Sequence, residues 1–212
     1  MIKPADLPDT LPLFPLYGAM LLPRARMQLN VFEPRYLAMV EDVLKTRERL
    51  IGIIQPLEED AEGPLHKAGC AGRISSFIET DDGRYLITLT GISRFGISGQ
   101  FDGFTPYLRA KVDWGDFARD LSGVEHVKEF DRDGFLKLMG CIFSLEDMDI
   151  DWENLKRAEP EMLINSLSML APFSVEEKQA LLEVETLEER REMLVGLMEF
   201  VVQRGQSGRG IQ

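Results

Sequence analysis

The side chains that could do chemistry are few. Two histidines and two cysteines are the residues from which a metal centre would be built. His66 and Cys70 lie four apart and His126 and Cys141 fifteen apart, whereas zinc sites show a tight pair twice over. The pattern reads as surface histidines and buried free thiols, so no metal is expected. GISRF (91–95) and GISG (96–99) are the nearest approach to a nucleophile elbow. Neither carries G-x-S-x-G ahead of a helix, and both read as strand with glycine bends. Glu58, Glu59, Asp60 and Glu62 form a carboxylate cluster inside a Pro/Gly-flanked loop. Acid–base catalysis needs carboxylates in split environments, so a solvated loop tip is expected. The sequence contains no G-x-x-x-x-G-K-[ST] run and no G-x-G-x-x-G run. Neither ATP hydrolysis nor a cofactor is therefore expected, and the chain reads as a non-enzyme.

What remains is surface for binding. Tyr17-Gly18-Ala19-Met20-Leu21-Leu22-Pro23 is apolar where a connection should be polar. It is either a short buried strand or an exposed rim for extended peptide. Arg24, Arg26 and Arg35 lie near enough in sequence to hold acidic groups or carbonyls. In VFEPRYLAMVED (31–42), Phe32 and Glu33 run into Pro34. Pro34 suits a first helical position and Glu33 puts negative charge by the helix N-terminus. The stretch reads first as a strand-to-helix corner. A binding role for Glu33, Arg35 or Tyr36 is the alternative. The candidate peptide-binding set is Tyr17, Met20, Leu21, Leu22, Arg24, Arg26, Phe32, Glu33 and Arg35.

Two halves must position these residues. Strands are expected at 11–16 (with prolines that suit an edge), 25–32, 49–55, 70–80, 84–92 and 107–114. Met27, Leu29 and Val31 alternate with Gln28 and Asn30, the period of a half-buried strand. Asp81-Asp82-Gly83 predicts a hairpin with positive φ at both central positions. One helix, from Pro34, is inserted among the strands. Helices follow: 134–143 with Phe135, Leu138, Met139 and Ile142 on one face; one from Pro160, followed by Leu163, Ile164, Leu167 and Leu170; and two opened by capping boxes at Ser174 and Thr186. The last is expected to end near Gly205. Met139, Met148, Met162, Met169, Met193 and Met198 read as gap-filling core, or in part as adaptable binding surface.

The bulk numbers agree. The chain has 212 residues, 44% hydrophobic and 28% charged, with net charge −12. Residues 1–112 hold 13 Lys/Arg and 14 Asp/Glu, and residues 113–204 hold 10 and 22. That balance argues against nucleic acid and anionic membrane as partners. No apolar run reaches a membrane span. Lacking a secretory signal and holding only two cysteines, the chain is expected to be cytoplasmic. The expected division is 1–114 (β-domain), 115–204 (α-helical domain) and a disordered tail, 205–212.

LPLFPL, LLPRARMQLNVFEPRYLAMVED, RLIGIIQP, GCAGRI, DGRYLITLTGISRFGI and KQALLEVETLEERREML, in that order, resemble the amino-terminal domain of Lon proteases. The resemblance covers roughly 8–203, and the chain is similar to stand-alone bacterial Lon-domain-like proteins; cereblon carries a related domain. It implies an α+β fold: a PUA-like twisted β-barrel with an inserted helix, then an α-helical bundle. It also implies a role in recognising unfolded or peptide-like protein segments, without ATPase or protease modules. RNA binding by a PUA-like barrel, or a small molecule in a groove between the halves, are the alternatives.

Overall fold

The computed structural model describes residues 3–101, 104–145 and 152–209. Its strands are β1 (Thr10–Pro15), β2 (Arg26–Val31), β3 (Leu50–Ile54), β4 (Ala68–Glu79), β5 (Tyr85–Phe101) and β6 (Arg109–Asp113), with α1 (Pro34–Leu44) between β2 and β3. β2 alternates as its sequence requires. Met27 and Leu29 are half-buried and Val31 is buried, between exposed Arg26, Gln28 and Asn30. β3 is buried throughout.

β5 changes partners along its length. Tyr85–Thr90 pairs with β2, Gly96–Phe101 with β6, and most of the strand with β4. Leu13–Pro15 of β1 runs parallel to β3, while Thr10–Pro12 runs antiparallel to β6. β5, β4, β3, β1 and β6 therefore close a ring, and β2 hangs outside it on β5. Leu11, Leu13, Leu50, Ile54, Phe95, Val112 and Trp114 are among the residues of its core.

Two expectations change here. β1 is not an edge strand. Leu13 N–H donates to Leu108 O and Leu16 N–H to Ile54 O, so the ladders use the amides that follow Pro12 and Pro15 and the prolines withhold nothing needed. In the β4–β5 hairpin only Gly83 has positive φ, at 78°. Gly83 N–H closes the turn on Thr80 O and Thr80 N–H reaches Arg84 O, the longer loop in which a turn precedes one left-handed residue.

The chain divides into two units, 1–123 with 174–182, and 124–173 with 183–212. This differs from a single boundary after residue 114. Most of α5 (Val175–Glu183) belongs with the strands because buried polar groups bind it there. Gln55 Nε2 donates to Val175 O and Gln179 Oε1, Gln179 Nε2 to Ala68 O, and Lys178 Nζ to Gly18 O. The 3-10 turn Ala118–Ser122 is held likewise. Asp120 accepts from Nε, Nη2 and the backbone N–H of Arg94 at 2.8–2.9 Å, and both side chains are buried. A forked, charge-assisted pair of this kind fixes geometry as well as energy.

The second unit holds α2 (Arg132–Leu145), α3 (Trp152–Arg157), α4 (Pro160–Leu170) and α6 (Leu187–Arg209), with α2 and α4 both against α6. Phe135, Met139 and Ile142 of α2 are buried, as are Leu163, Ile164 and Leu167 of α4. Leu170, at the last turn of α4, is exposed. Both capping boxes form: Glu177 and Ser174 exchange side-chain to backbone bonds, and so do Glu189 and Thr186. α6 continues to Arg209, past the stop expected at Gly205. One glycine costs an established helix only about 1 kcal/mol. Of the methionines, Met139 and Met198 are buried, Met169 and Met193 half-buried and Met162 exposed; Met148 lies outside the described residues. No helix among the described residues is long and apolar enough to cross a membrane.

Candidate functional site

The candidate residues separate into an inner and an outer group. Met20, Leu21 and Leu22 are at most 1% exposed. They line no rim, because the sheet is notched to receive them. A Cβ on Gly91 would stand 2.0 Å from Leu22 O, and one on Gly72 would stand 2.7 Å from Leu21 Cδ2. Tyr17, before them, is exposed. Arg24 is turned inward with φ 63° and donates from Nη1 to Asp120 O at 2.7 Å. Arg26 is exposed on β2. Phe32 is exposed, with the Arg84 guanidinium carbon 5.9 Å from its ring centre.

Glu33 and Arg35 belong to a different place. Glu33 caps α1 in position only, with no side-chain capping bond to the helix backbone, and Pro34 takes the first turn. The Glu33 carboxylate is thereby free for Arg35, whose Nε and Nη2 lie 3.0 Å from Glu33 Oε2. Arg35 Nη1 donates to Glu62 Oε1 at 2.9 Å. The guanidinium carbon stands 4.7 Å from the centre of the Tyr36 ring, and that ring stacks on Phe14 at 4.1 Å. Burial opposes the charge on Arg35, but Tyr36, Glu33 and Glu62 outweigh it and raise its pKa. Burial raises the pKa of the Tyr36 phenol, against the pull of Arg35.

Arg35, Tyr36 and Glu62 of this cluster line a pocket of about 330 Å³. The lining also includes Phe101, at the end of β5, and Thr105, Pro106, Tyr107 and Leu108 from the connection between β5 and β6. Tyr107 donates its phenol to Asp42 Oδ2 on α1 at 3.0 Å. Burial, then that bond, raise the phenol's pKa, so it stays protonated and remains a donor. Phe101 is 48% exposed, Leu108 38%, and Phe104 fully so. The pocket lining thus combines the exposed apolar side chains Phe101 and Leu108 with a charged guanidinium and two tyrosines. Such a site can hold an apolar or aromatic side chain and orient its polar end.

Glu62 and the 101–108 connection escape sequence reasoning. Glu62 reads as one carboxylate of a solvated loop, and its partner is 27 residues away. Phe101 and Phe104 carry a signal in composition, two aromatics beside Gly103 and Pro106 in a connection. The candidate metal residues stay apart in role: Cys70 is buried in β4, His66 half-buried and His126 exposed. Cys141 is exposed on α2 instead of buried, since its helix turns Met139 and Ile142 inward and leaves position 141 toward solvent.

Known proteins place the chain in a family. A family model described as the ATP-dependent protease La (LON) substrate-binding domain matches residues 10–199. Lon protease 2 of Myxococcus xanthus is 23% identical over 93% of this chain, and Lon protease of Flavobacterium johnsoniae is 27% identical over 87%. The chain spans only 24% and 23% of those proteins. A Lon N-terminal domain protein from Xanthomonas campestris, solved as a crystal structure, is 27% identical, with TM-score 0.61 over 88% of this chain and 97% of its own. The N-terminal domain of the Mycobacterium avium complex Lon protease, at 16% identity, TM-score 0.62 and coverage of 90% and 98%, shows the fold alone.

Proposed function

The chain belongs to the LON substrate-binding domain family, and from that premise we propose that it is a protein-binding module that takes unfolded or peptide-like segments. In this reading it works without hydrolysing ATP or peptide bonds, in the cytoplasm. In this reading the closed ring of strands supports a PUA-like barrel, and the helices of the second unit support a helical bundle beside it in the sequence. The observation that carries the proposal is the pocket of Arg35, Tyr36, Glu62 and Tyr107 with exposed Phe101 and Leu108 in its lining, and Phe104 fully exposed in the same stretch of chain. Exposed apolar groups gathered around a pocket mark interaction surfaces. Glu33 holds Arg35 in place.

Affinity on such a surface is modest, because ordering a flexible segment costs on the order of 2–5 kcal/mol. Salt dependence is weak, since apolar contact supplies most of the attraction. The test is a titration of a reduced, permanently unfolded model protein against wild type and against Phe101→Ser/Phe104→Ser, with circular dichroism as the check on folding. Lost binding by a folded double variant supports the pocket. Unchanged binding removes it. Tight, salt-sensitive retention of poly-U RNA by the wild type replaces the reading with nucleic-acid binding.

A further inference from the structure

We propose that β2 accepts a second kind of contact: an extended segment of a partner polypeptide, added to the sheet as a strand along its outer edge. The inference rests on the protein binding polypeptide, but not on the pocket. β2 pairs with β5 on one side only. Gly91 N–H donates to Ala25 O, and the register then runs from Arg26↔Thr90 to Val31↔Tyr85 without a shift. Antiparallel pairing alternates between bonded and non-bonded residues. Counting from Ala25, Met27, Leu29 and Val31 turn their amides and carbonyls to β5. Arg26, Gln28 and Asn30 turn theirs outward.

Folded proteins blunt such edges with proline, a bulge, a very short strand or inward charge. The run from Arg26 to Val31 has none of these. It is six residues long and free of proline and lysine, and its one charge, Arg26, stands at the end. Its side chains are also incomplete without a neighbour. Met27 and Leu29 are only half-buried on the side where Val31, Ile87 and Leu89 are buried. On the other side Arg26, Gln28 and Asn30 are exposed, and Arg26 has no ion pair among the described residues.

These features specify the occupant. Its side chains alternate, apolar against Met27 and Leu29 and polar on the opposite side, with a carboxylate within reach of Arg26. A second copy of this chain fits less well. Two β2 strands paired about Gln28 would set Arg26 opposite Asn30, leaving the guanidinium without a carboxylate, and each copy carries −12.

The probe is a capped synthetic peptide of alternating valine and threonine with one glutamate, beside versions with glutamine at that place and with N-methylated backbone amides. Hydrogen exchange by NMR should show the amides of Arg26, Gln28 and Asn30 slowing when the glutamate peptide is added, with those of Met27 and Leu29 already slow. The N-methylated peptide should bind roughly tenfold or more weakly. Gln28→Pro removes an outward N–H that β5 does not use, and should weaken binding as much. Arg26→Gln should weaken the glutamate peptide and leave the glutamine peptide unchanged. The proposal is overturned by absence of binding, by protection elsewhere than at 26, 28 and 30, or by full binding of the N-methylated peptide. Those amides being protected without peptide, in a dimer seen by sedimentation, would also overturn it. The two readings fail separately: Phe101→Ser/Phe104→Ser reports on the pocket through the unfolded-protein titration, and the exchange pattern reports on β2 by itself.

Discussion

Two connections in the first unit have nearly the same ingredients and opposite fates. Residues 17–23 and residues 101–108 each hold a tyrosine, a proline, a glycine and two or more large apolar side chains. In the first, Met20, Leu21 and Leu22 vanish into the core. In the second, Phe101, Phe104 and Leu108 are exposed, and Phe101 and Leu108 line a pocket. Composition does not separate them. What separates them is the surface opposite. Gly72 and Gly91 leave the sheet without side chains where Leu21 and Leu22 arrive, and burial then follows from the area removed from water. The 101–108 connection meets α1, whose Asp42, in the last turn, takes the Tyr107 phenol, and whose Arg35, in the first turn, is held by Glu33 and Glu62. An apolar connection with a receptor is core; without one it is a surface for something else.

The largest effect that would break this contrast is in the buried connection. Leu22→Ala should cost about 2–5 kcal/mol, the transfer loss plus the cavity it leaves, read as a fall in the urea midpoint at unchanged slope. Gly91→Ala should also destabilise, because its new Cβ would meet Leu22 O at 2.0 Å. If Leu22→Ala is neutral, the segment is not core and returns as a binding surface.

The same contrast explains how much the sequence discloses. The alternation of Met27, Leu29 and Val31, the proline at the start of α1 and both capping boxes are local signals, and each forms as read. The seating of Leu22 on Gly91, the Arg94–Asp120 pair and the Glu62–Arg35 contact join residues 26 to 69 apart. Chain closure sets those contacts, and no local period records them. The same holds for β1, which its prolines mark as an edge until two half-length ladders are seen to share it. Of the candidate site, the corner at Glu33 and Arg35 was visible in the sequence, while the rest of the pocket lining was not.

The next effect is on binding. Phe101→Ser/Phe104→Ser should leave stability within about 0.5 kcal/mol, as surface changes do, while weakening unfolded-protein binding by roughly tenfold, about 1.4 kcal/mol. Loss of stability comparable to Leu22→Ala would mean that the two connections do not differ as described.

Smaller still is the charged part of the pocket lining. Arg35→Ala breaks partly exposed ion pairs with Glu33 and Glu62, and such pairs contribute roughly 0–1 kcal/mol. Its melting temperature should therefore stay near wild type. If binding falls while melting does not, the corner is a site as well as a joint. If melting falls steeply and binding per folded molecule is unchanged, Arg35 is structural alone.

The smallest effect concerns the tether that keeps the exposed connection against α1. Asp42 accepts from Lys45 Nζ through Oδ1 and from the Tyr107 phenol through Oδ2, each at 3.0 Å. Lys45 first, then Tyr107, hold its carboxyl below the ordinary value of 3.8. A carboxyl whose pKa is lower folded than unfolded binds fewer protons when folded. Its contribution to stability is thus complete above the ordinary value and is lost as pH falls through the folded one. Tyr107→Phe removes one of the two donors, so the Asp42 midpoint should move up toward 3.8, and the small melting difference from wild type at neutral pH should close in acid. NMR titration of the Asp42 carboxyl measures the midpoint directly. A midpoint that does not move on Tyr107→Phe would mean that the phenol does not hold the connection in solution, and that the pocket wall must be kept in place by Pro106 and by the bond from Leu13 N–H to Leu108 O.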